Sequence, residues 1–167
     1  MAIKHLWLDF TDTIASMDKA SFDRLIYSSY ADVTGKKLSN ELIDEYKKLL
    51  ATHKSNSAVF VALGKPNDFL SNKANESADL LKLTDEHLPE ILGRLSKRYP
   101  ISIFSNTRLN TILPSLGLPL SLFTHLIGPD EVKAPKPALE GFEKMLELSG
   151  VPAGETLFVG DNVEKDI

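Results

Sequence analysis

The chain of 167 residues contains no cysteine, which excludes disulfide bonds, thiolate catalysis and cysteine-based metal sites. It also lacks any apolar run near the roughly 20 residues that a membrane span requires. The amino terminus is a short charged lead into a predicted strand and has no secretory hydrophobic segment. We therefore expect a cytoplasmic protein with no membrane partner.

A block of basic residues is missing as well. The 19 lysines and arginines are interspersed with 23 aspartates and glutamates, and the net charge is −4. Surfaces that bind nucleic acid usually cluster positive charge, so we expect no nucleic-acid partner. A chain of this length can bury one core, or one core with a smaller satellite, and a small-molecule substrate fits this composition better.

The most informative stretch is KHLWLDFTDTI, residues 4–14. Its apolar run has the length and composition of a buried parallel strand, which ends at Asp9 and is followed by Thr11, Asp12 and Thr13. Ligands of open α/β sheets bind outside the carboxyl ends of the strands, so Asp9 is the candidate reactive group. A strand-end aspartate can also begin a turn or cap a helix, and this stretch alone does not decide between these roles.

Residues 16–82 show the spacing of helices. Apolar residues recur at intervals of three and four, one run stops at Gly35, and Ser39 is placed to cap the next. A last run from Phe69 to Leu81, which includes Ala78, also predicts a helix. No part of the region alternates like a strand, so we predict an all-helical block over residues 16–82, called the helical block below.

Strands alternate with helices after this block. The patterns predict a helix capped by Thr84, a strand in the run 101–106 that ends in polar residues, a helix from Thr107 to Leu116, a weak strand over 123–127, a helix from Leu139 to Gly150, and a strand over 156–160. Such alternation is typical of an α/β fold with a doubly wound, Rossmann-like parallel sheet. Residues 1–15 and 83–167 are expected to form this core.

Polar residues at the predicted strand ends and loops converge on one edge of such a sheet. They are Asp9, Ser105, Lys136, and Asp161 with Asp166. Each residue also has a purely structural interpretation, because a serine can begin a turn, a lysine can lie solvated on the surface and an aspartate can cap a helix. Lys133 is an alternative to Lys136.

With this constellation the chain resembles the haloacid dehalogenase superfamily of aspartyl-nucleophile phosphotransferases and hydrolases. The likeness covers nearly the whole chain, and the helical block is similar to the small cap that this family inserts between its first and second motifs. Its motifs match DFTDTI at 9–14, Ser105-Asn106, Lys136-Pro137 with Phe142, and Gly160-Asp161 with Asp166.

The resemblance implies that Asp9 is a nucleophile that forms an aspartyl-phosphate. It also implies Mg²⁺ as the cofactor, held by the carboxylates of Asp9 and Asp161 and the carbonyl of Thr11. A hard cation of this kind prefers oxygen ligands. The implied substrate is a small phosphorylated metabolite.

The remaining motif residues take supporting roles in this resemblance. Lys136 is the second catalytic residue and neutralises the nucleophile and the phosphoryl oxygens. Thr13, Ser105 and Asn106 belong to the substrate-binding set, and Asp166 orients Lys136 or a metal-bound water.

The match departs from the family at Thr11, where the phosphatases carry a second aspartate that protonates the leaving group. General acid–base help of this kind contributes about 10²–10⁴ in rate. Three expectations stay open: a slow phosphatase, a 2-haloacid dehalogenase that forms an ester on Asp9, and a catalytically weak binding or regulatory protein. A dehalogenase would need an arginine for the halide, and Arg24 is the only arginine in the helical block.

The sequence also stops at Ile167, immediately after Asp166, where the family continues with a helix and an edge strand. We expect the C-terminal edge strand and helix to be missing, with apolar sheet surface left uncovered. Such surface favours association, so a homo-oligomer formed through the uncovered sheet edge is expected.

Overall fold

The structure, a computed structural model, describes residues 2–76 and 80–166. In chain order its strands and helices are β1 (His5–Leu8), β2 (Ala15–Met17), α1 (Lys19–Thr34), α2 (Asn40–His53), α3 (Asn56–Ala62), α4 (Phe69–Asn75), β3 (Leu81–Leu83), α5 (Leu88–Leu95), β4 (Ile101–Phe104), α6 (Ile112–Ser115), β5 (Leu126–Ile127), α7 (Leu139–Ser149), β6 (Thr156–Val159) and α8 (Val163–Asp166). No helix in these ranges is long and apolar enough to cross a membrane.

The core is a four-stranded parallel sheet in the order β5-β4-β1-β6. Strand β1 is central, and its Leu8 lies opposite Ile103 of β4 and Val159 of β6. The pairing continues one residue further, because the Asp9 N–H donates to the Val159 carbonyl at 2.8 Å. The predicted α/β fold with a Rossmann-like parallel sheet is confirmed.

Helices cover both faces of the sheet because its strands are apolar on both sides. Ile101 and Ile103 pack on one face in a cluster with residues of α5 and α6. Trp7 and Phe104 pack on the other face with Met145 of α7. The buried Trp7 indole satisfies its N–H by donating to the Ser149 hydroxyl at 2.7 Å. This layering holds the carboxyl ends of the strands at one edge.

Helices α1–α4 of the helical block have a hydrophobic cluster of their own. Tyr46 lies at its centre, with its ring 5.1 Å from the Tyr30 ring and 6.2 Å from the Phe60 ring. The predicted cap at Ser39 is confirmed, since its side chain accepts from the Leu42 N–H at 3.3 Å. The helical block therefore has internal packing separate from that of the sheet.

The expectation that residues 16–82 are all helical is wrong at both ends. Strands β2 and β3 pair antiparallel, with Ala15 opposite Leu83 and Met17 opposite Leu81. Helix α4 stops at Asn75, so Leu81 belongs to a strand, and Ala78 lies outside the described residues. Three-residue strands are too short to show alternation, and their pairing is set by partners more than 60 residues away.

Three other predicted elements change in position or length. Thr84 does not cap α5, which begins at Leu88 with Pro89 in its first turn; the Thr84 hydroxyl instead donates to the Thr13 carbonyl at 2.8 Å. The helix predicted from Thr107 shortens to Ile112–Ser115, and the strand over 123–127 shortens to Leu126–Ile127. Contacts between loops, described below, hold the segment after β4 out of helical conformation.

Strand β6 lies at one edge of the sheet, where Leu157 and Val159 are exposed. Self-association through this edge stays a prediction.

Candidate active site

The candidate active site lies at the carboxyl ends of the parallel strands. Asp9 directly follows β1, Ser105 follows β4, and Asp161 lies two residues after β6. Lys136 comes from the loop between β5 and α7. Adjacent parallel strands end at the same edge, which is why residues almost 160 positions apart meet here.

Lys136 occupies the buried centre of the site. Its Nζ lies 2.9 Å from Asp9 Oδ1 and donates to Asp166 Oδ1 at 2.6 Å, and all three side chains are at most 4% exposed. The ammonium also lies 5.3 Å from the Phe104 ring centroid and 5.2 Å from that of Phe158, distances at which aromatic faces attract a cation. Two carboxylates and two rings thus hold one buried positive charge.

Lys133, the alternative to Lys136, is exposed on the surface. Its backbone N–H donates to the Glu140 carboxylate at 3.1 Å. The structure therefore brings Lys136, and not Lys133, to Asp9.

The two carboxylate oxygens of Asp9 have different surroundings. Oδ1 accepts from the Phe10 N–H at 2.7 Å and faces Lys136. No donor among the described residues hydrogen-bonds to Oδ2. Burial raises the pKa of the Asp9 carboxyl above its ordinary value, and the charge of Lys136 opposes that rise. One oxygen is held in place and the other is not.

Asp166 uses both of its oxygens inside the protein. Oδ1 accepts from Lys136, and Oδ2 accepts from the Asn162 N–H at 3.2 Å. Its predicted role in orienting Lys136 agrees with this contact. Gly160 leaves room for it, since a side chain at that position would overlap with the Asp166 carboxylate.

The carboxylates of Asp9, Asp161 and Asp166 offer oxygens within 4.8 Å of one another. Asp166 is committed to Lys136, so Asp9 and Asp161 remain as the residues that could hold a divalent cation. This all-oxygen set fits Mg²⁺, which binds one or two carboxylates and keeps several waters. Lys165 lies 3.9 Å from Asp161 and offsets part of its charge.

Ser105 and Asn106 have mainly internal partners. The buried Ser105 hydroxyl accepts from the Thr107 N–H at 3.1 Å. The Asn106 side chain donates to the Lys136 carbonyl at 3.2 Å and accepts from the Lys136 N–H at 2.8 Å. The hydrogen bonds of Asn106, expected in the substrate-binding set, therefore hold the lysine backbone, although the residue also lines the cavity described below.

The loop after Asp9 turns sharply. Asp12 has a φ of 60° and donates its N–H to the Ala15 carbonyl at 2.8 Å. Thr11 lies on the cavity side, with its hydroxyl 3.5 Å from that of Thr107. The Thr13 hydroxyl is buried without a hydrogen-bond partner among the described residues, and its place in the substrate-binding set stays a prediction.

A cavity of about 550 Å³ opens above this edge of the sheet. Thr11, Asn106 and Asp161 lie on its core side, and residues of α1–α4 form the facing wall. That wall combines apolar side chains with polar and basic ones, namely Phe22, Leu25, Leu50, Leu70, Ser55, Asn56, Ser57, Lys47 and Lys54. A small molecule with one charged end and a partly apolar body fits such a space.

Sequence reasoning missed the contacts of Arg108. Its guanidinium donates twice to Asp130, at 2.8 and 2.7 Å, once to Asn72 at 2.8 Å and once to Asp68 at 3.1 Å. These bonds join the loop after β4 to α4 and to the loop after β5. The neighbouring Ser105-Asn106 pair was the available sequence signal that this loop is functional. The partners of Arg108 could not be predicted, because contacts between loops leave no periodic pattern in the sequence.

Comparison with known proteins identifies the family. The haloacid dehalogenase-like hydrolase model matches residues 3–167. A HAD phosphatase from Thermococcus onnurineus has a TM-score of 0.66 and 20% identity over 98% of this chain and 80% of that one. No curated protein sequence matched the chain.

Two further solved structures are similar over nearly all of the chain. The 2-haloacid dehalogenase from Pseudomonas syringae pv. Tomato has a TM-score of 0.59 and 19% identity, covering 99% of this chain and 80% of that one. The HAD-family protein YfnB from Bacillus subtilis, bound to magnesium, has a TM-score of 0.57 and 18% identity, covering 100% and 83%. These likenesses show the fold, and the family model, which spans nearly every residue, shows that this chain belongs to the haloacid dehalogenase-like hydrolases.

Proposed function

We propose that the protein is a Mg²⁺-dependent phosphatase that acts on a small phosphorylated metabolite through an aspartyl-phosphate on Asp9. The buried contact of Lys136 with Asp9 and Asp166, beneath a cavity of metabolite size, carries this proposal. In it the Rossmann-like core of residues 1–15 and 83–167 performs the chemistry, and the helical block of residues 16–82 is the cap.

The first step is attack by Asp9 Oδ2 on the phosphorus of the substrate. A P–O bond forms to the carboxylate as the bond to the leaving oxygen breaks, which leaves an acyl phosphate and an alkoxide that takes a proton from water. Lys136 offsets the repulsion between the carboxylate and the phosphoryl oxygens and stabilises the charge that develops. Water then hydrolyses the acyl phosphate and restores the Asp9 carboxylate.

Mg²⁺ would be held by the carboxylates of Asp9 and Asp161 together with the carbonyl of Thr11. When bound, it supplies positive charge that screens the incoming dianion from the carboxylates. Among the described residues the group that could hold a metal consists of carboxylates, which agrees with a hard cation.

Thr11 limits the rate in this proposal because a hydroxyl cannot replace a carboxylic acid as proton donor. Substrates whose leaving oxygen needs little protonation, such as acyl phosphates, should react faster than alkyl phosphates. Hydrolysis of the enzyme intermediate is expected to be slow for the same reason, since no carboxylate at position 11 activates the water.

Metal-independent 2-haloacid dehalogenase activity is the second candidate, and Thr11 is the observation that favours it. In that reaction Asp9 displaces a halide from carbon, and the resulting ester is hydrolysed without acid catalysis at position 11. Arg24, expected to receive the halide, is exposed and does not line the cavity, which argues against this function. The phosphatase therefore remains the favoured proposal.

Acid-quenched intact mass spectrometry after incubation with acetyl phosphate and Mg²⁺ tests the proposal. We expect a phosphoryl adduct on the wild-type protein and none on Asp9→Asn, with adduct formation lost when a chelator removes Mg²⁺. Absence of both adduct and phosphate release above the Asp9→Asn control would overturn it. Chloride release from a haloacetate in the presence of the chelator would then support the dehalogenase.

A further inference from the structure

We propose that the substrate carries a second negative charge on its organic part and that Lys54 of the helical block binds it. This inference rests on the proposed function, because it names the class of phosphate ester that the same cavity accepts. The class is a phosphate monoester with an additional carboxylate or phosphate group.

The charges on the two sides of the cavity carry the argument. Every acidic side chain in its lining, which means Asp12, Asp161 and Glu164, comes from the core side. The wall contributed by the helical block has two lysines, Lys47 and Lys54, and no carboxylate among its described residues. A substrate held by its phosphoryl group near Asp9 therefore directs its organic part toward a positively charged wall.

Apolar residues also line this cavity. Leu25, Leu50 and Leu70 line it together with Phe22. Apolar lining excludes water from the substrate body and strengthens a charge interaction made inside the cavity. An uncharged organic part would gain nothing from the positive charge of this wall.

Lys54 has a contact that a substrate anion can replace. Its Nζ lies 3.2 Å from Glu164 Oε1, across the cavity from the helical block to α8. The two side chains are 45% and 63% exposed, so this ion pair contributes little to stability and breaks readily. Lys47 forms a 3.7 Å ion pair with Asp44 and can add to the positive wall.

The backbone at Lys54 does not account for a lysine there. The residue ends α2 with a φ of 66°, and its N–H donates to the Leu50 carbonyl at 2.8 Å. Glycine or asparagine is the ordinary residue for this left-handed conformation. A bulky charged side chain at this position is instead explained by what it faces, which is the cavity and Glu164.

The competition between Glu164 and the substrate gives a distinctive prediction. Removing Lys54 weakens binding of the charged substrate, whereas removing Glu164 frees the ammonium and strengthens it. If the Lys54–Glu164 pair only fastened the helical block to the core, both substitutions would act in the same direction on every substrate.

The test compares ω-carboxyalkyl phosphates with alkyl phosphates of equal chain length, and alkanediol bisphosphates form a third arm. We expect wild-type protein to have the higher kcat/KM for the charged member of each pair. Lys54→Gln should reduce that ratio at least about threefold through KM, and Glu164→Gln should increase it. Lys48→Gln, an exposed lysine of α2 that does not line the cavity, is the matched control and should keep the wild-type ratio.

Lys54→Arg should retain the preference, which separates lost charge from misfolding. Preference in the carboxylate arm alone assigns a carboxylate, and equal preference in both charged arms assigns a general anion site. No charge preference in the wild-type protein, or a parallel effect of Lys54→Gln and Glu164→Gln on all substrates, would overturn the inference.

Equilibrium binding of the same pairs to Asp9→Asn, with and without Lys54→Gln, separates this inference from the proposed function. A binding preference for the charged member that Lys54→Gln removes would support the inference even if no phosphate ester were turned over. Turnover without any such preference would leave the phosphatase standing and the inference wrong.

Discussion

The ammonium of Lys136 donates a 2.6 Å hydrogen bond to Asp166 in a site where both side chains are at most 4% exposed. The substitution Lys136→Met removes this ammonium and leaves Asp9 and Asp166 as buried carboxylates without a positive partner. Breaking a buried pair from one side costs about 3–5 kcal/mol, so we expect a loss of that order in the free energy of unfolding measured by urea denaturation.

Lys133→Met is the matched control because Lys133 is exposed three residues away. It should change stability by less than about 0.5 kcal/mol. Adding Asp166→Asn to Lys136→Met should recover part of the loss, since one orphaned charge is removed. A double variant less stable than Lys136→Met alone would contradict this account of the charge balance.

Gly160→Ala should disturb the same site through sterics. An alanine Cβ would overlap with the Asp166 carboxylate, which must then move away from Lys136. Overpacking of this kind typically costs about 1–3 kcal/mol, measurable as a lower unfolding free energy together with slower phosphorylation by acetyl phosphate. Gly93→Ala, where a Cβ meets open space within α5, should be neutral or slightly stabilising. Equal effects of the two substitutions would show that the contact with Asp166 is unimportant.

The strand ends that carry Asp9, Ser105 and Asp161 were predictable because each apolar run stops at a polar residue. For β1 and β4, whose residues are buried or half-buried, burial determines both facts, so the sequence pattern and the sheet edge coincide. The parallel topology then brought Lys136 to the same place.

Contacts between loops could not be predicted in this way. The hydrogen bonds of Asn106 to the Lys136 backbone join positions 30 residues apart in segments with no periodic pattern. Strands β2 and β3 were not predicted because each has three residues and is stable only when it pairs with the other. The predicted start of α5 at Thr84 was wrong for a similar reason, because the Thr84 hydroxyl hydrogen-bonds to the distant Thr13 carbonyl and does not cap the helix.

Arg108 links the core to α4, so Arg108→Gln should lower stability and loosen the helical block. Its contacts with Asp130 and Asp68 are about one-third to one-half exposed, and we therefore expect only about 1 kcal/mol, less in high salt. Arg108 lowers the pKa of the Asp130 carboxyl. The stability that the Arg108–Asp130 ion pair contributes is fully present above the aspartate pKa of the unfolded chain, about 3.9. It is lost as the pH falls through the lower pKa of Asp130 in the folded protein.

Urea denaturation of Arg108→Gln at low and high salt, and at neutral and acidic pH, tests this link. Arg94→Gln is the control, because Arg94 is exposed on α5. The difference between wild type and Arg108→Gln should shrink in both salt and acid. A difference that stays constant under these conditions would indicate packing rather than charge.

His5 is expected to make the stability of the fold depend on pH near neutrality. Its buried ring contacts the Ser102 hydroxyl at 2.8 Å and stacks 6.1 Å from the His125 ring. Burial, and then the charge of His125, hold the pKa of His5 below its ordinary value. As pH falls below about 6.5 the unfolded chain binds a proton that the native state does not, so stability is lost at up to about 1.4 kcal/mol per pH unit.

Unfolding free energies between about pH 7.5 and 5.5 should therefore fall less steeply in His5→Gln than in wild type. The exposed-site variant His87→Gln should follow wild type, and a His5→Gln slope as steep as theirs would mean that other groups cause the pH dependence.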